Sequence, residues 1–190
     1  VSSFSPRVNS YGGWNFGVSL DSIAIDGEVA DRELIGDSAW GFGLDAEYVF
    51  SNSYQSINFG LVFISYDDKA SFRQETVQVG GFDDGDRDTK ESSADALQFY
   101  LEYGLRNRCG ASERFFYHGR LGVGVVSSAE RGIDSCSNCY AEDIDVSSGL
   151  YGVAGLGFNA TNAFSMELNL RPQFTGDFDT GVQLKFRWGY

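Results

Sequence analysis

The sequence predicts an all-β fold, an eight-stranded antiparallel up-and-down transmembrane β-barrel. Three observations lead there. Period-2 alternation of apolar and polar residues, the mark of a half-buried strand, appears eight times. The connections between those segments alternate between short and long. The 190 residues include 24 Gly, only 2 Pro and 15% aromatics, which suits strands because Pro cannot donate to a ladder.

The first strand runs near 13–21 and sets Trp14, Phe16, Val18 and Leu20 on one face. The second, near 39–50, sets Trp40, Phe42, Leu44, Ala46, Tyr48 and Phe50. The third carries Ile57, Phe59, Leu61 and Phe63, and the fourth Leu97, Phe99, Leu101, Tyr103 and Leu105. The fifth carries Phe115, Tyr117, Gly119, Leu121, Val123 and Val125. The sixth carries Leu150, Gly152, Ala154, Leu156 and Phe158, and the seventh Phe164, Met166, Leu168 and Leu170. The last carries Val182, Leu184, Phe186, Trp188 and Tyr190. Each segment has roughly the 9–11 residues that a tilted strand needs to cross a bilayer. Connections near 51–55, 107–113 and 159–162 are short. Those near 22–38, 65–95 and 127–147 are long and polar, with 175–180 as a shorter fourth member. Short turns at one end and long loops at the other are the habit of membrane barrels. Residues 1–190 read as one domain with both termini on the short-turn, periplasmic side.

None of those apolar positions is charged, whereas the opposite faces hold Asn, Gln, Glu, Arg and many Gly. A soluble barrel would turn the apolar face inward. Two features favour the reverse. Glycines on the polar face make room in a narrow lumen for bulkier charged side chains. Aromatics at the ends of the apolar stripes (Trp14, Trp40, Tyr48, Phe50, Phe158, Trp188 and Tyr190) match the interfacial girdles of membrane barrels.

The chain ends in strand, Val182-Gln183-Leu184-Lys185-Phe186-Arg187-Trp188-Gly189-Tyr190. This resembles the C-terminal assembly signal of outer-membrane proteins. With the whole strand pattern, it makes the chain similar to the small eight-stranded outer-membrane proteins of the opacity, OmpX and OmpA-barrel type. The resemblance implies a bacterial outer-membrane location, contact with outer-membrane lipids and lipopolysaccharide, and insertion by the barrel-assembly machinery through the last strand. It implies a fold and a compartment more than an activity, because that class shares no functional residues.

The formal net charge is −13, from 27 acids and 14 Lys and Arg. That excludes nucleic acid, whose phosphates demand a basic surface. The charges assigned inward are Asp45, Glu47, Glu102 and Glu167 against Arg120, Arg171, Lys185 and Arg187. Buried charge is costly unless paired, so this balance predicts an ion-pair network filling the lumen. His118 is expected beside Arg120 as a hydrogen-bonded structural residue. It lacks the neighbouring Ser of a nucleophilic pair, so no catalytic residue is assigned.

Asp83, Asp84, Asp86 and Asp88 form an acidic segment that could hold Ca²⁺. It lacks the distal Glu of an EF-hand, and solvated loop charge is the preferred reading. Cys136 and Cys139 are a candidate loop disulfide outside the cell, and Cys109 falls in a turn at the opposite end. No cofactor or metal is expected, and the barrel is expected to be monomeric. The leading functional expectation is a non-enzymatic barrel with a plugged polar lumen, acting structurally or adhesively through acidic outer loops. The alternatives are a small transport barrel for ions or small molecules, and a lipid A-modifying enzyme.

Overall fold

A computed structural model of the chain describes residues 13–50, 54–70, 72–73, 89–90, 92–109, 114–133, 141–161 and 163–189. In order its elements are β1 (Gly13–Ala24), α1 (Gly27–Glu33), β2 (Ile35–Val49), β3 (Gln55–Asp68), β4 (Phe72–Arg73), β5 (Thr89–Lys90) and β6 (Ser92–Cys109). Then follow β7 (Phe115–Ile133), β8 (Ala141–Asp143), β9 (Leu150–Asn159), β10 (Phe164–Arg171) and β11 (Gly181–Gly189). Eight of these, β1, β2, β3, β6, β7, β9, β10 and β11, each pair antiparallel with their neighbours in chain order. β1 pairs with β11 and closes the ring. All eight predicted segments fall on these strands. Closure leaves no open edge in the wall, which satisfies the demand of hydrocarbon that backbone polar groups pair internally.

The β2–β3, β6–β7 and β9–β10 turns lie at the end where β1 begins and β11 finishes, here called proximal. At the distal end the wall is uneven. β9, β10 and β11 have 10, 8 and 9 residues, whereas β6 and β7 have 18 and 19. Among the described residues expected as loop, 22–24, 35–38, 65–68, 72–73, 89–90, 92–95, 127–133 and 141–143 are strand and 27–33 are helix. The reason is visible in β6 and β7. The outward apolar run stops at Leu97 and Val125, and Asp95 faces Glu130 directly across the ladder beyond it. Alternation of apolar residues marks the depth of the bilayer, while the backbone ladder continues past it.

A bulge re-aims the top of β7. Leu97 pairs with Ser128 and Gln98 with Val126, so Ser127 is the extra residue. Below it the even-numbered Phe116, His118 and Arg120 point inward; above it the odd-numbered Ala129 and Arg131 do. Such bulges typically redirect a side chain. Here the inward side chain is Arg131 in place of Glu130.

The apolar core lies inside the distal end. Ile23, Ile25, Ile35, Ile64, Tyr66, Ala94, Ile144, Val146 and Phe178 pack there with Val29 and Ala30 of α1. The Asp26 carboxylate caps this short helix by accepting from the N–H groups of Glu28 and Val29, a contribution of about 1 kcal/mol. At the other end Leu34 adopts a left-handed φ of 55°. Its carbonyl and that of Glu33 accept from Arg131 Nη2. Arg131 also donates through Nε to Asp68 at 2.8 Å and approaches Glu142 at 3.4 Å. One buried guanidinium thus ties α1, β3, β7 and β8 together.

Candidate functional site

The outer wall is apolar to an extent no water-exposed surface tolerates. Leu121 and Leu156 are each 68% exposed, and Phe16, Leu20, Phe63, Leu101, Leu168 and Val182 are all outward and exposed. The band is one residue layer thick and runs round the ring, far beyond the few hundred Å² of contiguous apolar surface usual on a soluble monomer. Aromatic rings collect at its proximal edge. Trp14 contacts Tyr48 and Phe59 at centroid distances of 5.1 and 6.0 Å, and Tyr48 contacts Phe50 at 5.5 Å. Phe115 meets Phe158 at 5.1 Å and Phe164 meets Trp188 at 5.4 Å. Trp40, 71% exposed, stands at the distal edge, level with Ser22 and Ser65. Tyr190 lies outside the described residues.

Inside the ring every inward charge assigned from sequence is buried: Asp45, Glu47, Glu102, His118, Arg120, Glu167, Arg171, Lys185 and Arg187. Two further charges join them. Arg106 and Asp21 share the inward parity of Glu102 and Ser19, one step beyond where alternation stopped being legible. The interior then holds Asp21, Asp45, Glu47, Glu102 and Glu167 against Arg106, Arg120, Arg171, Lys185 and Arg187, five acids with five bases.

The proximal layer centres on two carboxylates. Glu47 accepts from Arg120 at 3.1 Å and Ser56 at 2.9 Å, and pairs with Arg187 and with Arg106 at 3.4 Å. Glu167 pairs with Arg106, with Arg187 at 3.3 Å and with Arg120 at 3.4 Å. The Arg106 guanidinium also lies 4.2 Å from the Phe116 ring centroid. In the middle layer Asp45 pairs with Lys185 and lies 3.4 Å from Arg187. Glu102 accepts from Asn58 at 2.8 Å and Tyr151 at 3.0 Å. In the upper layer Asp21 accepts from Ser19, Arg171 and Gln183 at 2.7–3.0 Å.

Glycines supply the space. Around the wall Gly60 stands between Asp45 and Tyr100, Gly122 between Glu102 and Tyr151, and Gly157 between Glu167 and Phe116. A Cβ on Gly122 would lie 2.6 Å from the Tyr151 ring, and one on Gly157 would overlap Phe116.

His118 differs from expectation. It is buried in the lumen, but neither ring nitrogen has a hydrogen-bond partner. Its Nε2 is 3.7 Å from Glu167. Three guanidiniums already occupy that carboxylate. Among the described residues no hydroxyl bonds to it, and no group of His, Cys, Asp and Glu is placed to hold a metal. Asp83, Asp84, Asp86, Asp88, Cys136 and Cys139 lie outside the described residues. Cys109 ends β6, at the proximal turn.

The distal rim is strongly acidic. Among the residues whose exposure is described, Glu28, Asp31, Asp37, Asp67, Asp95, Glu130, Glu142, Asp143, Asp145 and Asp179 are exposed there, together with the bases Arg32 and Lys69.

A closed antiparallel ring of eight strands, apolar outside and ionised inside, defines a class of fold: the small eight-stranded transmembrane β-barrel. No family model matches the chain, and no curated protein does. Among solved structures it is similar to Ail, the attachment invasion locus protein of Yersinia pestis, in complex with the heparin analogue sucrose octasulfate. Identity is 17%, with 94% of this chain and 97% of that chain covered and a TM-score of 0.52. Ail of Yersinia pestis in a phospholipid bilayer nanodisc aligns at 14% identity over 94% of this chain and 99% of that one, with a TM-score of 0.47. The first of these likenesses carries the fold.

Proposed function

We propose that this chain is a non-enzymatic outer-membrane barrel with a closed interior, acting at the cell surface through its acidic distal rim. Both termini then lie on the periplasmic side, and α1 and the rim face outward. The observation that carries the reading is the filling of the interior. Five acids and five bases from six different strands interlock across it, and the apolar cluster under α1 covers the distal side. An eight-stranded ring has room for side chains and little else. With the mouth covered and the charges mutually paired, the loops and rim are what remains to meet a partner.

Catalysis of the lipid-modifying kind would need His118 at the lipid face beside a nucleophile; it is inside, and unbonded. The polar interior keeps a conducting barrel as the second reading. Planar-bilayer recording separates the two. The purified protein is expected to insert without discrete conductance steps, and reproducible steps would displace the closed-barrel reading.

The rim also predicts which partners fit. Ail was solved with a polysulfated ligand. Here, the excess of exposed carboxylates on the rim repels such a polyanion and attracts a polycation, with a range of roughly 8 Å at physiological salt. Folded protein in detergent is expected to pass through immobilised heparin at low salt and to be retained on immobilised polylysine until salt is raised. Retention on heparin would remove the acidic rim from the proposed role.

A further inference from the structure

Where the β1–β11 seam reaches the distal end, the ladder is interrupted. It runs as far as Ser22 opposite Val182 and resumes only as the isolated bridge between Ile25 and Phe178. A cavity of about 10 Å³ opens there, lined among others by Asp21, Gln98, Arg171, Gln173, Phe178 and Asp179. Arg171 is 4% exposed. Its Nη1 donates to Asp21 at 3.0 Å, and its guanidinium stacks 4.4 Å from the Tyr151 ring centroid. Its Nε and Nη2 have no protein acceptor, and the buried Oε1 of Gln173 has no protein donor. Two orphaned donors and one orphaned acceptor therefore border a single small cavity.

We propose that this cavity is a specific binding site for one water molecule, which accepts from Arg171 and donates to Gln173 Oε1. Size comes first: about 10 Å³ is close to the least space that holds one water. Charge selects it next. Arg171 is already neutralised by Asp21, and Asp179 on the rim adds a negative charge, which disfavours an anion. A cation would face the Arg171 guanidinium. A neutral molecule that both accepts and donates satisfies each orphan, and a buried polar group left unsatisfied would be costly. The lining joins inward residues, Asp21 and Gln98, to outward ones, Ser22 and Val182. The water therefore sits where the polar interior comes nearest to the surroundings, at the distal end of the β1–β11 seam.

The sign of one substitution tests this, independently of the closed-barrel reading. Gln173→Met keeps the side-chain length and removes the acceptor. With water bound, the change breaks a water-mediated contact and loosens the partner of Arg171, so the unfolding midpoint falls, by roughly 2–4 °C. Were Gln173 Oε1 simply orphaned, removing it would relieve an unsatisfied group, and the midpoint would rise. A rise overturns the proposal. A crystal structure at near-atomic resolution gives the direct readout: one solvent peak within hydrogen-bond distance of both Arg171 and Gln173 Oε1 is expected, and a dry cavity in well-ordered density overturns it too.

Discussion

Leu101→Arg is expected to destabilise the folded barrel in lipid by about 2–4 kcal/mol, the cost of a guanidinium at the midplane on the lipid face. Leu101 is the central residue of the outward run Leu97, Phe99, Leu101, Tyr103 and Leu105 on β6, and it is 51% exposed. Depth makes the test specific. The same substitution at Leu97, at the distal limit of the run, is expected to cost no more than about 1 kcal/mol. Asp95→Arg, one inward–outward repeat further on, is expected to be neutral or better, since it places a cation opposite Glu130 and relieves a like-charge pair. Urea unfolding of the three variants in phospholipid vesicles, followed by heat-modifiable gel migration, supplies the measurement. A soluble barrel would show no gradient along β6. Equal effects at 97 and 101 would therefore remove the apolar wall from the bilayer.

That gradient rests on the part of the structure most legible in the sequence. A strand in contact with hydrocarbon on one side and a crowded interior on the other must alternate residue by residue, and each of the eight stripes could be read from that constraint alone. What could not be read follows from the same physics. Beyond the bilayer the constraint lapses, so the distal halves of β6 and β7 carry Asp95, Ser128 and Glu130 outward and read as loop. The seven residues of α1 are too few to display helical periodicity, and its ends are fixed by Asp26 and by the distant Arg131. The bulge at Ser127 exchanges the faces of β7, so parity carried forward from Arg120 points Glu130 inward and Arg131 outward, opposite to the structure.

In the interior, parity identified which charges face inward but not their partners. Glu47 on β2 meets Arg106 on β6, Arg120 on β7 and Arg187 on β11, strands that are not its neighbours in the ring. Such contacts depend on ring closure and register, which no local pattern encodes. Arg106 was within reach of the alternation through Gln98, Tyr100, Glu102 and Gly104. Asp21 sat at the limit of the first stripe.

The network makes the other large prediction. Glu167→Leu removes the carboxylate shared by Arg106, Arg120 and Arg187, leaving three guanidiniums to divide Glu47 and whatever Asp45 and Glu102 can offer. Leaving buried charge uncompensated typically costs about 3–5 kcal/mol. The unfolding midpoint in urea is expected to fall accordingly, with the barrel still able to assemble because the outer wall is untouched. Lost packing predicts some loss as well, and a second substitution separates the two causes. Glu167→Leu with Arg106→Met removes one base along with the acid and restores equality inside. If charge is the cause, the double variant recovers stability relative to Glu167→Leu alone, even though two side chains are now altered. If packing is the cause, the two losses add. Recovery is the expected sign, because Arg106 is the guanidinium nearest the proximal opening, with 24% of its side chain exposed, and so the one whose removal disturbs the remaining layers least. Simple additivity would mean that the five acids and five bases coexist inside the ring without depending on one another, and the closed-interior reading would lose its basis.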